Sequence, residues 1–126
     1  MTTIAQQITE RPLVYIACPI THGSRNYNYF QACEAERLLM LKGFAPQNPA
    51  HTIVVPFAWQ SEFPHSLWLD CCFPLIERMD AILRLPGYSV GADAEVQHAQ
   101  QCNVPVFYSI DDLEVWRDNR RPSETA

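Results

Sequence analysis

The run Leu13-Val14-Tyr15-Ile16-Ala17-Cys18, closed by Pro19, constrains this chain more than any other feature. It is apolar throughout, rich in β-formers and offers no polar side to water, so it reads as a strand buried on both faces. A strand of that kind needs a covering layer above and another below. The architecture that supplies both is a parallel sheet between helices.

The rest of the chain fits such a plan. From Tyr29 to Lys42 the pattern turns helical, with Ala32, Ala35, Leu38, Leu39 and Leu41 on one side and Glu34, Glu36 and Arg37 on the other. Gly43 follows as a C′ residue, and Phe44-Ala45-Pro46 is a short second strand. Ser66 is positioned to cap a helix running to about Met79, which Pro74 should bend or restart. Ala81 to Leu85 is a third strand, closed by Pro86-Gly87, and Gly91 and Asp93 open a helix through about Cys102. Val104 to Tyr108 is a fourth strand, which Pro105 places at an edge or starts late, and Asp111 to about Asn119 is a final helix. This alternation predicts an α/β protein: a single-domain, Rossmann-like three-layer α/β/α sandwich with a mainly parallel sheet of four to five strands. The domain spans 13–119, between a polar lead (1–12) and a flexible polar tail (120–126).

Charge excludes one large class of function. The chain has 126 residues and a net charge of −5, with no basic run outside the C-terminal arginines, which is the wrong sign for tracking a polymeric nucleic acid. No stretch of about 18 apolar residues is present to span a membrane. The lead lacks the apolar core of a signal peptide, so a cytoplasmic location is expected. The five cysteines are odd in number and irregular in spacing, and read as free thiols that pack as small hydrophobes.

Ligands of open parallel sheets bind at the carboxyl ends of the strands. Two polar loops lie there, Thr21–Asn28 and Gly87–Glu95. The first lacks the glycine patterns of dinucleotide and Walker-type nucleotide sites. It does offer Thr21, Ser24, Arg25 and a following helix start, the ingredients of a small anion site as well as of an ordinary turn. In the second, Ser89 and Gly91 place a hydroxyl and open backbone N–H groups at a helix start. Glu95 is expected in the first turn, where the helix dipole would keep a carboxylate ionised, as a nucleophile requires. The same dipole explains a Glu that merely caps. Asp70, on the preceding helix, is the natural second acid or else a plain surface charge. The proline-broken segment 49–65 carries Phe57, Trp59, Phe63 and His65, of which Trp59 is the best placed to stack on a nucleobase. His98 and Cys102 share one helix face, but no CxxC or HxxxH completes a ligand set, so neither metal nor cofactor is expected.

Several of these pieces, taken in order, resemble the nucleoside 2-deoxyribosyltransferase-like superfamily. They are Tyr15-Ile16-Ala17-Cys18-Pro19, Asn26 and Asn28 with Phe30, Gly43, Asn48-Pro49, Trp68 and Asp70, Met79-Asp80-Ala81, and Pro86 to Gly91 followed by Glu95. The likeness spans about residues 13 to 108, and the Ser89-x-Gly91-x-x-x-Glu95 string is its most specific part. It implies that Glu95 attacks C1′ of a (deoxy)nucleoside, that Asp70 assists, and that Tyr15 positions the nucleophile. A covalent glycosyl ester is then resolved by water or a second base, as in retaining glycosidases. Ser89 stands where the transferases proper have an aspartate and the nucleoside 5′-monophosphate N-glycosidases a phosphate-binding serine. A hydroxyl can donate to a phosphate that a carboxylate would repel. The expected substrate is therefore a nucleotide, held by Ser89, Gly91 and the first loop (Cys18, Pro19, Ile20, Thr21, Arg25, Asn28). That loop departs from the Gly-Ser-Ile-Arg-like run of the glycosidases, and Cys18-Pro19-Ile20-Thr21 looks more like small, often phage-associated relatives. The resemblance also implies a homo-oligomer whose site a neighbouring subunit completes. The rival expectations are a base-exchanging transferase and a non-catalytic nucleotide-binding module on the same fold.

Overall fold

A computed structural model describes residues 10–54 and 62–120. It is an α/β structure with a four-stranded, all-parallel sheet and four helices. The strands are β1 (Leu13–Ala17), β2 (Ala45–Gln47), β3 (Ala81–Arg84) and β4 (Val106–Phe107), in the order β2-β1-β3-β4. The helices are α1 (Arg25–Leu41), α2 (His65–Glu77), α3 (Val90–Gln101) and α4 (Ile110–Arg120), with a 3₁₀ turn over Pro49–Val54. Among the described residues no helix is long and apolar enough to cross a membrane.

β1 is the strand its sequence predicts. Val14, Ile16 and Cys18 enter an apolar layer with Ala32, Ala35 and Leu39 of α1 and Leu113 of α4. Tyr15 and Ala17 enter the opposite layer with Ile76 of α2 and Ala92 and Ala99 of α3. β3 divides likewise, Leu83 to the first layer and Ile82 to the second. β1 pairs in register with β3 (Val14 with Ala81, Ala17 with Arg84) and with β2 on its other side. The chain therefore leaves β1 in one direction and β3 in the other. A topological switch point lies between their carboxyl ends.

Several element boundaries differ from the sequence reading. α1 starts at Arg25 rather than Tyr29, because the Ser24 hydroxyl caps it by accepting from the Tyr27 N–H at 3.2 Å. Pro64, not Ser66, precedes α2, with no side-chain cap. Pro74 interrupts nothing, since it sits on the exposed side of α2, where water can serve the carbonyl that its missing N–H leaves unpaired. Pro105 does start the fourth ladder late: β4 is only Val106–Phe107, at the sheet edge, while the Pro105 carbonyl accepts from Ile82 N–H at 3.0 Å. α4 continues through Arg120, whose guanidinium lies 4.5 Å from the Trp116 ring centre and 3.8 Å from Asp80. The lead is tied down at its end, with Arg11 donating to the carbonyls of Met40 and Phe44. All five cysteines are free thiols.

Candidate active site

The two polar loops meet at the switch point. Gly87, at φ 115°, approaches Pro19 so closely that an added Cβ would lie 2.9 Å from the proline Cγ. One residue on, the Tyr88 ring meets His22 edge to face at 4.9 Å. These contacts frame a cleft of about 250 Å³ between Pro19, His22, Asn28, Gly87 and Tyr88. Asn28 shapes it from below: its side-chain amide donates to the carbonyls of Ile20 (3.3 Å) and His22 (2.8 Å), folding the first loop back over α1.

Arg84 braces the second loop. Ending an otherwise apolar strand, it is only 9% exposed, and donates to the carbonyls of Leu85 and Gly87 and to the Asp93 carboxylate at 3.0 Å. A guanidinium carries five donors in a fixed fork, so one side chain can hold a turn and a helix start together. That helix is α3, and the Ser89 hydroxyl caps it by accepting from Ala92 N–H at 3.0 Å. The helix thus begins at Val90, earlier than Gly91 and Asp93 suggested.

Glu95 therefore lies beyond the first turn, on the buried face of α3 with Ala92 and Ala99. Its carboxylate, 7% exposed, accepts a hydrogen bond from the Tyr15 hydroxyl. Burial pushes its pKa up to about 7, against the opposing pull of the Tyr15 hydrogen bond, the Arg84 charge and the Cys72 thiol. The expectation that the helix dipole keeps Glu95 ionised is therefore corrected: desolvation outweighs it, and the group titrates near neutrality. Tyr15 is driven the other way from use as a base. Burial first and the neighbouring carboxylate second hold its phenol above the usual range, so it is a neutral donor.

The other predicted residues divide into groups. Ser89 and Gly91 sit at the start of the helix that carries Glu95. Pro19 lines the cleft, and the Ile20 carbonyl anchors Asn28. Thr21 and Arg25 are exposed, Arg25 in the first turn of α1. Burial pushes the Cys18 thiol up to about 12, which leaves it inert. Asp70 is exposed on α2, two residues from Cys72. That step turns roughly 200° around a helix, so Asp70 points away from the flank that meets Glu95. Trp59 and Phe57 lie outside the described residues.

Two residues of the site, Cys72 and Arg84, escape the sequence reading, and a third, His65, is reached there only as part of an aromatic segment. Cys72 belongs to the inward stripe of α2, and its thiol pKa is raised by burial despite a hydrogen bond with Tyr15. His65 lies against Gly91: a Cβ added there would be 3.0 Å from the imidazole, so the glycine admits the ring to the start of α3. Of the two that escaped, Arg84 carries a signal, as a charge inside a run that has to be buried.

No curated protein matches the chain. The model of a family described as a domain of unknown function, DUF4406, matches residues 12–108, and the chain belongs to that family.

Proposed function

We propose that this protein cleaves the N-glycosidic bond of a nucleoside 5′-monophosphate, ribo or deoxyribo, with Glu95 as nucleophile. The observation that carries the reading is the buried Glu95 carboxylate, hydrogen-bonded to Tyr15 of β1, the strand whose carboxyl end borders the switch point of a parallel sheet. In the first step a Glu95 oxygen bonds to C1′ and the C1′–N bond breaks. The electron pair leaves with the base, which takes up a proton. In the second step water attacks C1′, the ester bond returns its electrons to Glu95, and the water's remaining proton is released. The net reaction consumes water and yields free base and sugar phosphate.

Other groups support binding. The open N–H groups at the start of α3 and the Ser89 hydroxyl favour an anion, which suits a 5′-phosphate. Gly91 lets the His65 ring close to that start, and Pro19 and His22 of the first loop line the cleft opposite Gly87 and Tyr88. Two side chains compete to protonate the departing base. Asp70 has that role through the family resemblance; His65 has it through its place against Gly91. A homo-oligomer would be one way to bring Asp70 of a second copy to the site.

The test is base release from a panel of nucleoside 5′-monophosphates and unphosphorylated nucleosides, followed by chromatography with wild type and Glu95→Gln. Release by wild type alone, from phosphorylated substrates alone, is the expected result. Equal release by Glu95→Gln would overturn the mechanism. Silence from both, with and without an acceptor base, would favour a nucleotide-binding module.

A further inference from the structure

One feature of α3 plays no part in that chemistry. His98 and Cys102 lie one turn apart, and the fold brings a third potential ligand to them, Glu77 at the end of α2. The His98 Nε2 is 3.6 Å from the Cys102 Sγ and 3.6 Å from the Glu77 Oε1, and the Sγ and Oε1 are 3.9 Å apart. The imidazole–carboxylate distance is too long for a hydrogen bond. The triangle nevertheless has the dimensions of a ligand face. A point equidistant from its corners lies about 2.1 Å from each, against zinc bonds of ~2.0–2.1 Å to nitrogen, ~2.3 Å to sulfur and ~2.0–2.2 Å to oxygen.

The surroundings favour a cation. α2 and α3 pack on the same sheet face and both run antiparallel to the strands, so their negative C-terminal ends lie side by side. Cys102 is the C-cap of α3, and Glu77 is the last residue of α2. The His98 ring is fixed by stacking on Phe73, at 4.2 Å and 7° between planes. Glu77 is half-exposed, which leaves a path for an ion and a position for water.

We propose that Glu77, His98 and Cys102 form a binding site for Zn²⁺, or another divalent ion of similar softness, that staples the far ends of α2 and α3. A mixed sulfur, nitrogen and oxygen set suits such an ion better than magnesium or calcium. Binding releases the Cys102 thiol proton as the Zn–S bond forms. A second triad, Cys33, Glu36 and His51, shows the contrast. There His51 is already engaged at both nitrogens, with Tyr29 at 3.0 Å and Glu36 at 2.9 Å, and Asn48 also donates to Glu36. That cluster is a closed hydrogen-bond network.

The test is titration of the full, reduced, metal-stripped chain with Co²⁺ and then Zn²⁺. The expected result is one equivalent of Co²⁺ bound with thiolate-to-cobalt charge-transfer absorption, displaced by Zn²⁺. Cys102→Ser should abolish the absorption. His98→Gln and the surface variant Glu77→Gln should each weaken binding at least about tenfold, with unchanged far-ultraviolet circular dichroism. Zn²⁺ should raise the Tm of wild type but not of Cys102→Ser. The site is overturned by no cobalt spectrum at about 1 mM ion. It is overturned equally by a spectrum that survives Cys102→Ser or is lost in Cys33→Ser.

Discussion

The two faces of the sheet use buried arginine in opposite ways. On the α1/α4 face, Arg117 donates to the Lys42 carbonyl and lies 4.6 Å from the Phe44 ring centre, closing the C-terminal end of α1. It also pairs with Glu114 and Asp118 at the surface, while the layer beneath is apolar and mainly packs. On the α2/α3 face, Arg84 holds a turn of the cleft and sets part of the field around Glu95. β1 feeds both layers through simple alternation. One face stabilises the fold, and the other gives up some of that stability to hold an acid out of water.

The sharpest separation should come from removing bulk on the quiet face. Leu39→Ala empties a fully buried position of the α1 layer and should cost about 2–5 kcal/mol at any pH, measured by denaturant unfolding. The folded fraction should keep its activity per molecule. A loss of turnover beyond the unfolded fraction would show that the two layers are coupled.

Glu95→Gln should behave in the reverse manner, losing turnover while gaining stability. A carboxyl whose pKa is raised on folding from 4.5 to about 7 binds its proton more tightly in the native state. The native state is therefore penalised as pH rises above 4.5, with the full penalty reached above about 7. The amide keeps an oxygen to accept from Tyr15 and does not titrate. Little change is expected at pH 4, and a gain of up to about 3 kcal/mol above pH 7. Denaturant midpoints across that range decide it; a pH-independent difference would mean that Glu95 is not held as described.

These two variants also mark what sequence can and cannot reach. Leu39 belongs to a 3.6-residue pattern, and β1 to an unbroken apolar run, so their layers follow from local periodicity. The Tyr15–Glu95 contact was reachable only through family resemblance, because it joins residues 80 positions apart. Of its environment, only Arg84, a charge inside a buried run, leaves a trace in the sequence. Glu95 faces inward because it shares the stripe of Ala92 and Ala99 on α3, and Cys72 and His65 come from a helix whose start depends on Pro64 rather than on a capping side chain. Glu77 joined His98 and Cys102 for the same reason: a parallel pair of helices aligned their ends.

Smaller effects sharpen the contrast further. Tyr15→Phe removes a hydrogen bond that lowers the Glu95 pKa, so the ascending limb of kcat/KM against pH, expected near 7, should move to higher pH. Turnover should fall about 10–100-fold, in keeping with the loss of one positioning bond to the nucleophile. An unmoved limb would exclude Glu95 as the titrating group. Ser89→Ala should be the mildest, removing a cap worth about 1 kcal/mol. Beyond that it should erase any preference for phosphorylated over unphosphorylated substrate; a retained preference would place the anion elsewhere.

The contact of Pro19 with Gly87 also bears on how the protein comes into being. Its two residues stand 68 positions apart, and the rim they form exists only once β1 has paired with β3. Closing so long a loop is entropically slow, and no shorter contact substitutes for it. A nascent chain that has made β1, α1 and β2 holds a hydrophobic strand with one edge unpaired and only one wall of the cleft. The carboxylate of Glu95 therefore enters its low-dielectric setting late, and any activity it supports arrives with the complete domain and not with a part of it.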